Sequence, residues 1–95
     1  MKFCGVVVWY NPAADVLDNI NSYIAEIEKL YIIDNSKDSH INLLDNYKYQ
    51  NKYEYIPLHK NLGLAYALNV GYKKAIEDRF DYVLTMDQDS IFEPT

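Results

Sequence analysis

The chain has 95 residues, 49% hydrophobic and 24% charged, with only 3 Gly and 3 Pro and a formal net charge of −5. This length suits one small domain. The acidic balance, with no Lys/Arg cluster, argues against a nucleic-acid partner, and no stretch approaches the ~20 apolar residues of a membrane helix.

Phe3 to Trp9 is a continuous apolar, β-branched run, the pattern of a strand buried on both faces of a parallel sheet. Its single cysteine, Cys4, has no disulfide partner and reads as a small buried residue, which fits a reducing compartment. Asn11-Pro12 follows without a convincing leader cleavage site, so a cytoplasmic protein is expected. Asn11 is placed to cap a helix with Pro12 at its first position, and Asp15 is an equal alternative. Val16, Leu17, Ile20, Ile24 and Ile27 then recur at helical spacing, predicting one amphipathic helix. Leu30 to Ile33 is a second strand, closed by the turn formers Asp34-Asn35-Ser36-Lys37-Asp38-Ser39. A short helix is expected over Ile41 to Tyr47, and a third strand over Tyr53 to Leu58 with Pro57 near its end. His59 to Gly63 leads into a helix from Leu64 to Asp78. Along it Ala65, Ala67, Gly71 and Ala75 are small, and close helix–sheet packing would offset the ~1 kcal/mol that Gly71 costs. Phe80 to Met86 is the fourth strand, ending in Asp87-Gln88-Asp89-Ser90.

The order β-α-β-α-β-α-β predicts an α/β domain with a mainly parallel sheet over residues 1–95. Right-handed crossovers put every strand-to-helix loop at one edge, and ligands of such sheets bind beyond the carboxyl ends of the strands. Four polar loops therefore converge: Tyr10-Asn11-Pro12, Asp34-Asn35-Ser36, His59 to Gly63, and Asp87-Gln88-Asp89. On an extended segment residues i and i+2 share a side, so Asp87 and Asp89 would offer oxygens to one hard cation such as Mg²⁺. Asp34 would accept the N3–H of a uracil or thymine ring, with Tyr10 beside it; a helix or turn cap is the plain alternative for Asp34. Backbone N–H groups near Asn61 and Gly63 would meet an anion at the start of the helix.

These segments in order, Val8-Trp9-Tyr10-Asn11-Pro12, Ile33-Asp34-Asn35-Ser36, Asn61-Leu62-Gly63-Leu64-Ala65-Tyr66-Ala67-Leu68-Asn69-Val70-Gly71 and Asp87-Gln88-Asp89-Ser90, resemble family 2 glycosyltransferases across nearly the whole chain. The last segment is most similar to the rhamnosyltransferase branch. The resemblance implies a Rossmann-like three-layer α/β/α architecture, the nucleotide-binding half of a GT-A fold, and inverting transfer of a sugar from a nucleotide-diphosphate donor, dTDP-rhamnose or a UDP-sugar. It implies a saccharide or lipid-linked saccharide acceptor in cell-surface polysaccharide synthesis, at the inner face of the plasma membrane. By the same resemblance Tyr10, Asn11 and Pro12 line the nucleotide pocket, Asp34 and Asn35 border the pyrimidine, and Asn61 and Gly63 shape the floor near ribose and diphosphate. Asp87 and Gln88 border the donor, and Asp87 and Asp89 hold Mg²⁺ or Mn²⁺, with Asp89 the main ligand. The family's general base lies well beyond the Asp-x-Asp motif, so it is expected past Thr95, and the chain alone is expected to bind donor without transferring sugar. Two other classes compete: a non-catalytic nucleotide-binding module, and a phosphohydrolase of the haloacid dehalogenase type, whose Asp-x-Asp normally ends the first strand and not the fourth.

Overall fold

The computed structural model describes residues 2–89; Ser90, the last residue of the fourth segment, lies outside them. Its central strand is β1 (Phe3–Trp9), flanked by β2 (Lys29–Asp34) and β4 (Tyr82–Met86), with β3 (Tyr53–Pro57) outside β2. All three pairings are parallel, and Trp9 stands opposite Asp34 in register. The β-branched runs of β1 and β2 form strands because both of their faces are covered. Val7, Trp9, Leu30 and Ile32 pack under α1 (Val16–Asn21) and the segment after it. On the other face Cys4, Val6, Tyr31 and Ile33 meet α2 (Leu64–Glu77). The result is a three-layer α/β/α sandwich, as the element order predicts.

Two predicted helices are shorter than their apolar stripes. Val16, Ile20, Ile24 and Ile27 are all buried, but α1 stops at Asn21 and Ile24–Glu26 is a separate 3₁₀ turn. The Ser22 and Tyr23 N–H groups reach back only three residues, to Asn19 and Ile20, and Ser22 Oγ also donates to Asn19 O at 2.6 Å. Such local bonding tightens and ends a helix. Asp15, not Asn11, precedes the first turn. Asn11 instead takes φ +43° in the turn after β1. The expected Ile41–Tyr47 helix is a 3₁₀ turn over Ile41–Leu44.

Gly71 explains itself. A Cβ there would lie 2.4 Å from Val6 Cγ1, so only glycine lets α2 settle this close to β1. Cys4 is fully buried in the same layer, and burial pushes its thiol up to about 11, the state of packing and not of a nucleophile. At the base of that layer Lys29 bridges Glu54 and Asp78, and the Tyr31 hydroxyl donates to Asp78.

Candidate functional site

The chain runs β1, β2, β3 in one direction and then returns to place β4 on the far side of β1. β1 and β4 adjoin at this switch in strand order, the point beyond which ligands of open α/β sheets bind. A cleft of about 380 Å³ occupies that point, lined by Val8, Tyr10, Asn35, Asn61, Leu64 and Gln88. Four residues singled out in the sequence, Tyr10, Asn35, Asn61 and Gln88, thus meet in one wall. Val8 and Leu64 were not singled out. Their only signal is position, at the end of β1 and the start of α2.

Hydrogen bonds from each loop to its neighbour hold the wall. The Tyr10 N–H donates to Gln88 Oε1 at 2.7 Å, and Asn19 Nδ2 donates to Gln88 O at 3.1 Å, tying the loop after β4 to β1 and α1. Across the cleft Asn35 Nδ2 donates to Asn61 Oδ1 at 3.1 Å, while the Leu62 N–H donates to Asn35 Oδ1 at 2.9 Å. The Gly63 N–H donates to Asn61 Oδ1 at 3.0 Å. The N–H groups of Leu62 and Gly63, expected to face an anion, are therefore already taken by side chains. Any such role passes to the first turn of α2, which has no side-chain cap, and whose opening N–H groups have no intrahelical acceptor. Gly63 sits before it at φ +91°, a conformation that glycine adopts without strain. Asn11 and Pro12 shape the turn from outside the wall: the Asn11 N–H donates to Ser36 Oγ at 2.8 Å, and Pro12 is buried.

Asp34 is not in that wall. Adjacent residues of a strand point to opposite faces, so Asn35 turns to the cleft while Asp34 turns to the α1 face with Trp9. There it is only 1% exposed. Its Oδ2 accepts from the Tyr55 hydroxyl at 2.5 Å, the His40 N–H at 3.1 Å and His40 Nδ1 at 2.9 Å. Oδ1 is buried without an aligned partner. Burial alone would raise its pKa, but hydrogen bonds from Tyr55, Ser36 and His40, with the His40 charge, outweigh it and hold the carboxyl below the usual range. The structure thus makes Asp34 an ionised clasp joining β2, β3 and the segment at His40. Of the two neighbours, Asn35 and not Asp34 lines the cleft. Nothing local in the sequence marks His40 or Tyr55 as its partners, because the contacts span 6 and 21 residues.

Asp87 and Asp89 are exposed beside the cleft. The strand ends at Met86, and Gln88 and Asp89 lie in a turn, so strand alternation is not what sets the two carboxylates relative to each other. Among the described residues no group of three or more His, Cys, Asp or Glu is placed to hold a metal. Two exposed carboxylates do fit a hard cation that draws its other oxygens from a substrate diphosphate and water.

A parallel α/β sheet with an open, amide-lined cleft at its switch point and an acidic pair beside it defines a Rossmann-like protein, the architecture of the GT-A nucleotide-binding half. Glycosyl transferase family 2 matches residues 5–95, and the chain belongs to that family. It is similar to the poly-beta-1,6-N-acetyl-D-glucosamine synthase of Staphylococcus aureus (strain COL), 34% identical over 88 residues, which cover 88% of this chain and 21% of that protein. The synthase of the same name from Staphylococcus epidermidis (strain ATCC 35984) is 30% identical over the same share of each. The chain therefore spans about a fifth of the length of these relatives.

Proposed function

We propose that this chain binds the nucleotide-diphosphate end of a sugar donor for an inverting glycosyltransferase of cell-surface polysaccharide synthesis. The observation that carries this reading is the meeting of Tyr10, Asn35, Asn61 and Gln88 in one cleft beside Asp87 and Asp89. Tyr10 and Leu64 offer apolar surface to a ring, and the amides between them offer hydrogen bonds to its edge. Asp89, with Asp87 shared toward the ribose, would hold Mg²⁺ or Mn²⁺, which when bound supplies positive charge to the departing diphosphate. The exposed position of both carboxylates lets donor and cation enter together. The base that takes the proton of the acceptor hydroxyl is assigned to none of the described residues.

Two donors are supported by different observations. The names of the relatives favour N-acetylglucosamine as the sugar. The Asp87-Gln88-Asp89-Ser90 ending favours dTDP-rhamnose. The acceptor is a saccharide, free or lipid-linked, met at the cytoplasmic face of the membrane; no described helix is long and apolar enough to cross it.

Titration of the chain with UDP and dTDP, with and without Mn²⁺, tests the reading. Binding should require the cation and should be lost in Asp89→Ala with the circular dichroism spectrum unchanged. Binding indifferent to Mn²⁺, or absent with both nucleotides, would count against it.

A further inference from the structure

Three carboxamides line the cleft, and each already has its oxygen engaged. A backbone N–H can only donate, so the carboxamide atom it meets must be the oxygen. The Tyr10, Leu62 and Gly63 N–H groups meet Gln88, Asn35 and Asn61 in turn, at 2.7, 2.9 and 3.0 Å. Three main-chain donors from two loops thereby fix the orientation of three side-chain amides. The Asn35 Nδ2 bond to Asn61 Oδ1 requires the same orientation of both partners. What the amides have left for a ligand is mainly donors: one N–H of Asn35 and both of Asn61 and Gln88, against one acceptor lone pair on each of Asn35 and Gln88. Asn35 is 4% exposed, so its amide cannot swing to another arrangement without breaking the wall. Among the described residues no carboxylate, hydroxyl of Ser or Thr, Lys or Arg lines that wall.

We infer that Asn35, Asn61 and Gln88 form an uncharged cradle of N–H donors that selects oxygen acceptors on the donor nucleotide, carbonyl or phosphoryl. The inference rests on the cleft being the nucleotide site. It states which half of each amide meets the ligand, and therefore which ligand atoms are accepted. A ring edge presenting carbonyl oxygens fits, as does a non-bridging phosphate oxygen; a group presenting N–H would face like donors. Neutral donors also let a chain of net charge −5 hold an anion with no Lys or Arg in the cleft wall.

Two of the amides can be inverted while the hydrogen bonds of the wall are kept. Gln88→Glu and Asn61→Asp each keep an oxygen for the backbone N–H and replace the NH₂ end with a second, anionic oxygen, whereas Asn35 stays as it is because its Nδ2 bonds Asn61 Oδ1. Calorimetric titration of the full chain with UDP and Mn²⁺ should show affinity falling at least about tenfold in each variant, the scale of a lost hydrogen bond plus a charged acceptor facing another. Ala13→Asp adds the same charge on the rim outside the cleft and should change affinity less than about twofold. Uridine and inorganic diphosphate distinguish the two oxygen sources. Losses shared by UDP and uridine put a base carbonyl on the cradle, and losses shared by UDP and diphosphate put phosphate there. The inference is overturned if both variants bind UDP within about twofold of wild type, or if Ala13→Asp weakens binding as much as they do. Wild type that binds UDP only with Mn²⁺ but ignores the swaps sinks the cradle alone, whereas wild type that binds no UDP sinks the nucleotide site with it.

Discussion

Two acidic regions stand at the carboxyl edge of the sheet, in opposite surroundings. Asp34 is 1% exposed, accepts three donors on one oxygen and is held ionised by them. Asp87 and Asp89 are exposed, one turn beyond an edge strand whose Tyr82 and Leu84 are themselves 50% and 37% exposed. The first carboxylate has its donors built into the fold. The second pair stands where solvent, a cation or a ligand can reach it. Burial with built-in donors marks a carboxylate that holds structure; exposure beside a cleft marks one available for binding.

Substitution should separate the two regions most sharply in stability. Asp34→Ala removes a buried acceptor of three bonds, from the Tyr55 hydroxyl, the His40 N–H and His40 Nδ1, and should lower unfolding free energy by about 2 kcal/mol, since Tyr55 and the His40 N–H keep each other. Asp89→Ala should stay within about 0.5 kcal/mol of wild type. Urea unfolding followed by circular dichroism measures both, and equal losses would erase the contrast.

A smaller effect should appear in acid. The folded pKa of Asp34 lies below its unfolded value. Its contribution is therefore complete above the ordinary carboxylate range and disappears as pH falls from that range through the lowered folded pKa. Asp34→Asn should start less stable at neutral pH and lose less on acidification. A wild-type acid limb no steeper than that of the variant would show that the clasp is not ionised.

The smallest change should come from Tyr55→Phe. It removes one of three donors on Asp34 Oδ2 and leaves the ring that packs against Trp9. A cost of about 1 kcal/mol is expected, with UDP affinity unchanged because the clasp faces away from the cleft. A loss of UDP affinity in this variant would move Asp34 back into the binding site.

β1 and β2 were legible because burial on both faces imposes an apolar, β-branched run, and β1 occupies the seven residues that such a run predicts, while the half-exposed edge strands β3 and β4 showed only as short apolar runs between turns. The convergence of four loops followed from topology, and Tyr10, Asn35, Asn61 and Gln88 do meet. Helix lengths were less legible. The stripe from Val16 to Ile27 records which side chains are buried, but two Ser22 bonds decide where regular helix ends. His40 and Tyr55 were not legible, because nothing near them in the chain announces a carboxylate from another strand.

By itself, then, the sequence determined the layers, the parallel sheet, the edge at which the polar loops meet and the close packing at Gly71, since each follows from local composition and chain order. Only the tertiary structure decided which of two neighbouring residues, Asp34 or Asn35, faces the cleft. Side-chain alternation flips with a single step of register, and register is fixed by the neighbouring strands. It also decided how the Gln88 and Asn35 amides are turned, because that depends on backbone donors brought in from other loops.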